Sequence, residues 1–409
     1  MTNPNYFLHT LPNGLRLAHI QLPTNVSYCG LIINAGTRDE AYGEYGMAHF
    51  IEHLLFKGTE KRRSHHIINR MEAVGGELNA YTNKEETVIY SIFLEQCLER
   101  AVELLSDLAF HSQFPQHEIN REIDVILDEI NSYEDSPSEL IFDEFENLVF
   151  RGSQLGHNIL GEADLLKSFN TDMAKRFAAA HYRPSEMVFF SAGKTDFRKV
   201  VRLGEKYLAV PERSGSHLRR ILPPEISPVS QQENKDTAQA HVMLGSRSYN
   251  LHDPRRRILH LLNNLLGGPG MNSRLNISLR EKTGYVYNVE SSLTNYSDVG
   301  LFSIYFGTDK QQVEKCIRLA QKELDKLRNR KMSPSQLYAA KKQLCGQIAI
   351  AGDQHENLAL TFGKSIMRYN RFDSMDETFR KIEAITAEDL LAVANEIFDE
   401  QRLFMLTYE

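Results

Sequence analysis

The segment GMAHFIEHLLFKGT (residues 46–59) combines an apolar helical pattern with two histidines and a glutamate. His49 and His53 are four residues apart, so on a helix they lie on one face and can bind one cation together. Glu52 directly precedes His53 and flanks the same face. The apolar residues between them supply a buried side, and Gly58 is a natural end for the helix. The segment therefore predicts an amphipathic helix that carries three polar groups to one place.

This donor set points to a metal ion. Two imidazoles and a carboxylate suit Zn²⁺, and a catalytic zinc needs three protein ligands and an open position for water. The order His-x-x-Glu-His is the inverted zincin pattern, in which the glutamate is the base, so a third ligand must come from elsewhere. A purely structural buried histidine pair is the alternative. Without partners it would cost several kcal/mol, roughly the penalty for unpaired polar groups, so a shared cation is the simpler interpretation.

A third ligand is available in the segment HEINREIDVILDEINSYED (residues 117–135). Pro115 precedes this segment and favours the start of a helix. Spacing alone does not choose among its acids, and an acidic, solvated helix face is the alternative interpretation. Two of these acids, Glu122 and Glu129, are two helical turns apart and share a face. The candidate ligands are Glu118, Glu122, Asp124, Asp128 and Glu129.

Composition limits the class of protein. The chain has 409 residues, which at roughly 150 residues per domain predicts two or three domains. With 42% hydrophobic residues and a net charge of −7, it is an ordinary globular chain, and neither a nucleic acid nor an anionic membrane is expected as a partner. No apolar run is long enough for a transmembrane helix, and the N-terminus resembles neither a secretory signal nor a transit peptide. Widely spaced cysteines suit a reducing compartment, so we expect a cytoplasmic protein.

The sequence indicates a degenerate internal duplication. A proline-rich segment, residues 211–228, divides it near the midpoint, and the predicted strands and helices follow the same order on both sides. We predict an α+β fold of two homologous halves, each a mainly antiparallel sheet with helices packed on it. The expected domains are an N-terminal half at 1–210, a linker at 211–236 and a C-terminal half at 237–409. Identities at an offset of 209 residues support the duplication: Gly58 and Gly267, Glu72 and Glu281, Gly75 and Gly284, Asn79 and Asn288.

Four segments together resemble the pitrilysin/insulinase family of zinc peptidases, in its short branch similar to mitochondrial processing peptidase. These segments are HFIEHLLFKGT (49–59), GGELNAYTNKEETVIY (75–90), REIDVILDEI (121–130) and YRPSEMVFFSAG (182–193). The resemblance extends over the whole chain. It implies that the third zinc ligand is Glu129, which lies 76 residues after His53. It also implies that Glu122 is an acid behind the ligands, of the kind that orients a ligand histidine.

The resemblance further implies a zinc-dependent endopeptidase that hydrolyses peptides or unfolded segments in an enclosed chamber. Glu52 would be the general base on a zinc-bound water. Asn79 and Ala80 match an edge strand that binds substrate by strand addition, although Asn79 alone would suggest a turn or a cap. Arg280 and Tyr287 match a pair on the opposite wall that stabilises the oxyanion. A surface arginine and a strand-face tyrosine are the alternative for that pair.

The second half is expected to lack the zinc ligands. At the 209-residue offset, Glu52 and His53 fall on Leu261 and Leu262. In short members of the family the opposite wall belongs to a second subunit, so a chain with both halves of the site is expected to form a homodimer. One alternative is the catalytic subunit of a presequence-processing heterodimer. Another is a non-catalytic scaffold of the same superfamily, although such proteins lose the zinc residues that this chain retains.

Overall fold

The structure, a computed structural model, describes residues 6–212 and 220–409. Part of the predicted linker, 213–219, lies outside the described residues. The chain forms two compact units, each assembled from three stretches of sequence. The first unit contains Met1–Ile130, His157–Arg220 and Ala351–Ser374. The second unit contains Asn131–Gly156, Ile221–Ile350 and Met375–Glu409.

Strands and helices occur in runs along the described stretches, and two of these runs contain five consecutive α-helices each. The strands are β1 (Tyr6–Thr10), β2 (Arg16–Gln21), β3 (Val26–Ile33), β4 (Glu77–Thr82), β5 (Thr87–Leu94), β6 (Met187–Gly193), β7 (Ser230–Glu233), β8 (Ala240–Ser248), β9 (Val286–Asn295), β10 (Gly300–Thr308) and β11 (Phe404–Tyr408). The helices are α1 (Met47–Leu55), α2 (Ser64–Glu72), α3 (Leu98–His111), α4 (Gln116–Glu134), α5 (Pro137–Val149), α6 (Ala163–Leu166), α7 (Thr171–His181), α8 (Phe197–Tyr207), α9 (Arg256–Gly267), α10 (Val313–Asn329), α11 (Pro334–Gly352), α12 (His355–Tyr369), α13 (Met375–Glu383) and α14 (Ala387–Ile397). Within the described ranges, none of these helices has both the length and the apolar character needed to cross a bilayer.

The two sheets have the same strand order over five strands. The first sheet is ordered β1-β2-β6-β3-β5-β4 and the second β7-β11-β8-β10-β9. One neighbouring pair is parallel in each sheet, β2 with β6 and β7 with β11, and the other pairs are antiparallel. The predicted α+β class, with two homologous and mainly antiparallel sheets, is therefore confirmed.

Each sheet is covered in part by a helix from the other half of the sequence. Helix α12, near the C-terminus, packs Phe362 and Ile366 against Phe190 of the first sheet. Helix α5, before the midpoint, packs Phe145 against Met243 of the second sheet. The two compact units therefore differ from the sequence ranges predicted above by this exchange of helices. Apolar periodicity shows that such a helix buries one face, but it does not specify which sheet the face covers.

One strand lies inside the segment predicted to be the linker. Strand β7 has the polar sequence SQQE and pairs in parallel with β11 from Met405 to Tyr408. Its half-exposed side chains give no apolar alternation, so sequence patterning does not distinguish it from a loop. After α9, the chain forms a π-helical segment at Asn276–Glu281.

Candidate active site

Helix α1 carries the residues of the sequence motif on one side. It begins after Gly46, whose φ of +96° is a left-handed conformation that glycine adopts at little cost. Met47, Phe50 and Leu54 are fully buried and fix the helix in the core of the first unit. Because residues three and four apart share a helical face, this packing leaves His49, Glu52 and His53 together on the other side.

Both histidines face the same carboxylate on helix α4. His49 Nε2 lies 4.0 Å from Glu129 Oε1, and His53 Nε2 lies 3.7 Å from Glu129 Oε2. One ligand atom from each residue lies within 4.8 Å of the others. Tetrahedral zinc with bonds of about 2.0–2.1 Å needs ligand atoms roughly 3.4 Å apart, so a small contraction would suffice. In the described part of the chain, this is the one group of three such side chains that could hold a metal ion.

The protonation states of the two histidines differ. His49 is 8% exposed, and this burial, together with the charge of His53, lowers its pKa to about 3. His49 is therefore neutral near pH 7, as metal binding through an imidazole nitrogen requires. Burial also disfavours protonation of His53, but the carboxylates of Glu122, Glu129 and Glu52 outweigh it and raise the pKa of His53. A negative environment of this kind also attracts a divalent cation.

Glu122 lies behind His53, on the side away from Glu129. Its Oε1 is 3.3 Å from His53 Nδ1, and its Oε2 is 2.5 Å from Lys57 Nζ. Burial alone would raise the pKa of Glu122, but contacts with His53 and Lys57 lower it, so the group is ionised. A carboxylate at Nδ1 holds the imidazole with Nε2 directed at Glu129. Lys57 was not predicted from the sequence, although its position four residues after His53 could have indicated it.

Glu52, next to His53 on helix α1, is directed at Thr82 of strand β4. Burial raises its pKa, and hydrogen bonding from the side chain and the backbone N–H of Thr82 partly opposes the rise. A carboxyl group with a raised pKa can accept a proton and return it close to neutral pH. Thr82 was not predicted as a site residue. Thr82 lies two residues after Ala80, and therefore on the same face of the strand, which could have indicated it.

Strand β4 is at one edge of the first sheet. Asn79 pairs with Tyr90, and Ala80 with Ile89, across the β4–β5 ladder. The hydrogen bond from Asn83 N to Glu86 O, in the same register, makes the odd-numbered β4 residues the ones bonded to β5. The peptide groups of Ala80 therefore point away from β5, toward the sheet edge, whereas those of Asn79 do not.

Arg280 and Tyr287 lie together in the second unit. Arg280 is exposed on the π-helical segment, and Tyr287, on β9, is 83% exposed. The guanidinium carbon lies 5.7 Å from the centre of the tyrosine ring, which is within the range of a cation–π contact. Two of the predicted residues are therefore neighbours. Their role at an active site stays a prediction.

The second unit has apolar side chains where the first has its polar set. Strand β9 is at the edge of the second sheet, as β4 is in the first. Leu261 and Leu262, on α9, are each 1% exposed and belong to the core of the second unit. At these two positions the helix contributes to packing and offers no metal ligand.

Comparison with known sequences identifies the class and the family. The profile of insulinase (peptidase family M16) matches residues 16–163, and that of the peptidase M16 inactive domain matches residues 168–344. A zinc protease described as uncharacterised, from Streptomyces coelicolor, is 33% identical, and the match covers 95% of this chain and 86% of that protein. A similarly described zinc protease of Bacillus subtilis is 30% identical, with 96% and 95% covered. In class, the protein is thus a zinc peptidase. It belongs to the insulinase family, peptidase family M16.

Solved structures show the same fold over the whole chain. A protease from Helicobacter pylori has a TM-score of 0.91 at 21% identity, and the match covers 100% of both chains. A peptidase M16 inactive domain from Pseudomonas fluorescens has a TM-score of 0.92 at 19% identity, with 99% of this chain and 97% of that one covered. At these identities, the similarity concerns the fold alone.

Proposed function

We propose that the protein is a zinc-dependent endopeptidase that cleaves peptides or unfolded segments. The observation that carries the proposal is the convergence of His49, His53 and Glu129, with ligand atoms within 4.8 Å, beside Glu52 on the same helix as the two histidines. Two neutral or neutralisable imidazoles and one carboxylate are the donor set of a catalytic zinc site. The second observation in support is membership of a family whose relatives are named zinc proteases.

The proposed chemistry is peptide hydrolysis. Zn²⁺ bound at this site would supply Lewis-acid activation of a water molecule and of the scissile carbonyl. Glu52 takes the proton of the attacking water on a carboxylate oxygen and delivers it to the leaving amine nitrogen. Its raised pKa suits this exchange, because the acid is then strong enough to donate and the base strong enough to accept near neutral pH. Glu122 holds the imidazole of His53 in place throughout.

The proposed substrate is an extended segment of chain. The outward peptide groups of Ala80 allow a substrate to add as a further strand on β4, and Thr82, two residues on, contacts Glu52. A substrate that binds by strand addition is held through hydrogen bonds to its main chain, so many side-chain sequences are tolerated. A folded substrate would first have to expose such a segment.

The proposed assembly is a homodimer whose partner subunit completes each site. Arg280 and Tyr287 of the partner's C-terminal half would face the zinc residues across an enclosed chamber and stabilise the developing oxyanion. The cationic guanidinium and the phenol, already neighbours in the second unit, support this role. Four widely spaced cysteines are compatible with the reducing cytoplasm that the proposal assigns to the enzyme.

The test compares wild type with Glu52→Gln for bound zinc and for hydrolysis of a quenched, unstructured peptide. We expect about one zinc per chain in both proteins and turnover in the wild type only, because the amide cannot accept the proton. No zinc in either protein would overturn the proposal and favour the scaffold. Zinc in both with turnover in neither would instead favour a processing heterodimer that needs a different partner.

A further inference from the structure

Glu40 is a buried carboxyl group at the start of the metal-binding helix, where burial raises its pKa well above the usual range and the N–H groups of Ala48 and Gly46 partly oppose the rise. Its Oε2 accepts a hydrogen bond from Gly46 N at 2.9 Å, and its Oε1 accepts one from Ala48 N at 2.8 Å. The first N–H groups of a helix have no partners within it, and the helix dipole favours an anion there. Ala48 directly precedes His49, so this bond holds the backbone next to a zinc ligand.

A second contact continues from Glu40 to a distant loop. His157 Nε2 lies 3.0 Å from Glu40 Oε2, and the His157 ring stacks on Tyr45 with 4.1 Å between ring centres. The backbone oxygen of His157 accepts a hydrogen bond from the ammonium group of Lys84. Lys84 lies in the turn between β4 and β5, so the contacts run from helix α1 to the edge strand.

The backbone makes the same link. Thr37 N donates to Asn83 O at 3.1 Å, and Arg38 N donates to Lys84 O at 2.8 Å. The segment that carries Glu40 is therefore bonded directly to the β4–β5 turn. Both routes join the same two elements, one with the zinc ligands and one with the proposed substrate edge.

The loop of His157 is also packed tightly against the start of α1. A Cβ atom at Gly46 would lie 2.7 Å from the backbone oxygen of Leu160, and one at Gly161 would lie 2.3 Å from that of Tyr45. Both glycines have a positive φ, so the two backbones approach where a side chain on either would clash. The contact leaves little freedom for α1 to shift along its axis.

We propose that Glu40 is a positioning residue that fixes the metal-binding helix relative to the edge strand β4. The proposal rests on the proposed function, because it assigns α1 the zinc ligands and β4 the substrate. Glu40 touches neither substrate nor metal. It acts through Ala48 and, by way of His157 and Lys84, through the β4–β5 turn. Rates are sensitive to such placement, since an error of about 1 Å can cost roughly 100-fold.

The test is Glu40→Gln, with Glu44→Gln as the matched control. The amide oxygen can replace one carboxylate oxygen, but the NH₂ group is a donor and faces a backbone N–H. We expect kcat to fall roughly 10- to 100-fold with KM changed less than about twofold. Glu44 is in the same loop and its variant makes the same change from carboxyl to amide, but its side chain is paired with Arg176, not with helix α1. Glu44→Gln should keep the wild-type kcat.

A second variant covers the case in which Glu40→Gln does not fold. His157→Phe keeps an aromatic ring beside Tyr45 and the backbone oxygen for Lys84, and it removes the hydrogen bond to Glu40. We expect a smaller fall in kcat, again with KM preserved.

Substitution with Co²⁺ gives a measurement that does not depend on the overall stability of the variants. The visible absorption of Co²⁺ reports ligand geometry, and we expect it to change in Glu40→Gln and to stay unchanged in Glu44→Gln. Wild-type kcat and a wild-type Co²⁺ spectrum in the folded variants would overturn the positioning role, as would a change confined to KM. Failure of the proposed function is distinguishable, because then the wild type itself would bind no metal or cleave no peptide.

Discussion

At the scale of single residues, the side chains of the three proposed zinc ligands differ in how strongly their neighbours restrict them. The side chain of His49 is 10% exposed, whereas that of Glu129 is 44% exposed. His53 is fixed from behind by Glu122, which in turn binds Lys57. Neighbouring side chains thus fix the positions of both histidines, and Glu129 is the proposed ligand with the greatest freedom to move toward an ion. Its charge should therefore contribute strongly to affinity, since little else holds the ion on that side.

Glu129→Gln should weaken zinc binding by more than the roughly 10- to 100-fold that loss of a contact behind a ligand costs. The reason is that the amide retains the shape but loses the negative charge. Competition with a chelator of known affinity measures the change. Asp128→Asn, on the exposed side of the same helix, is the control and should bind as the wild type does. An unchanged affinity in Glu129→Gln would move the third ligand to another acid.

At the scale of elements, helix α12 packs on a different sheet from the one that its position in the sequence suggests. It covers part of one face of the first sheet with Phe362 and Ile366, although it belongs to the second half of the sequence. Gly363 lies at the closest approach of this helix to the sheet. A Cβ atom there would lie 2.7 Å from Phe190 Cδ1 and 2.8 Å from Ile32 Cδ1, two side chains that are themselves fully buried. Close packing therefore requires glycine at a position where helix propensity favours alanine.

Gly363→Ala should destabilise the protein by about 1–3 kcal/mol, because the added methyl overpacks the interface between α12 and the sheet. Gly346→Ala is the matched control in helix α11, where no described atom lies within 4 Å of the added Cβ. This control should stabilise the protein by about 0.5–1 kcal/mol through helix propensity alone. Thermal unfolding followed by circular dichroism would show opposite shifts of Tm. A higher Tm for Gly363→Ala would mean that the interface is looser than described.

At the scale of the whole molecule, the two units share one strand order but carry different functional residues. The five-strand order of the second sheet repeats that of the first, including the parallel pair. The first unit has Glu52 and the proposed ligands His49 and His53 on α1, and the second has Leu261 and Leu262 in its core. The second unit instead presents Arg280 and Tyr287 at its surface. This division of residues is what leads us to propose that two chains complete each other's sites.

Mixing two impaired variants tests that assembly. In Glu52→Gln the base is lost, and in Tyr287→Phe the proposed oxyanion donor is lost, so each homodimer should be slow. If sites form between chains, random exchange of subunits gives mixed dimers with one intact site, and about a quarter of wild-type activity returns. If each chain builds its own site, the mixture shows only the mean of the two variants. Native mass spectrometry of the mixture confirms that exchange has taken place.

The local chemistry follows from the order of residues alone. Helical period places His49, Glu52 and His53 on one side of α1, and the repeated order of strands and helices indicates two similar α+β halves. These properties depend on neighbours within a few turns, which a sequence pattern records directly.

The contacts between groups far apart in sequence come from the three-dimensional fold. Of the five candidate acids, it brings Glu129 close to both histidines, and it puts Glu122 behind His53 with Lys57 on its other oxygen. It also directs the peptide groups of Ala80 toward the sheet edge. It also assigned α5 and α12 to the sheets they cover. Such contacts arise from the packing of elements far apart in sequence, and the periodicity of a single element contains no information about its partner.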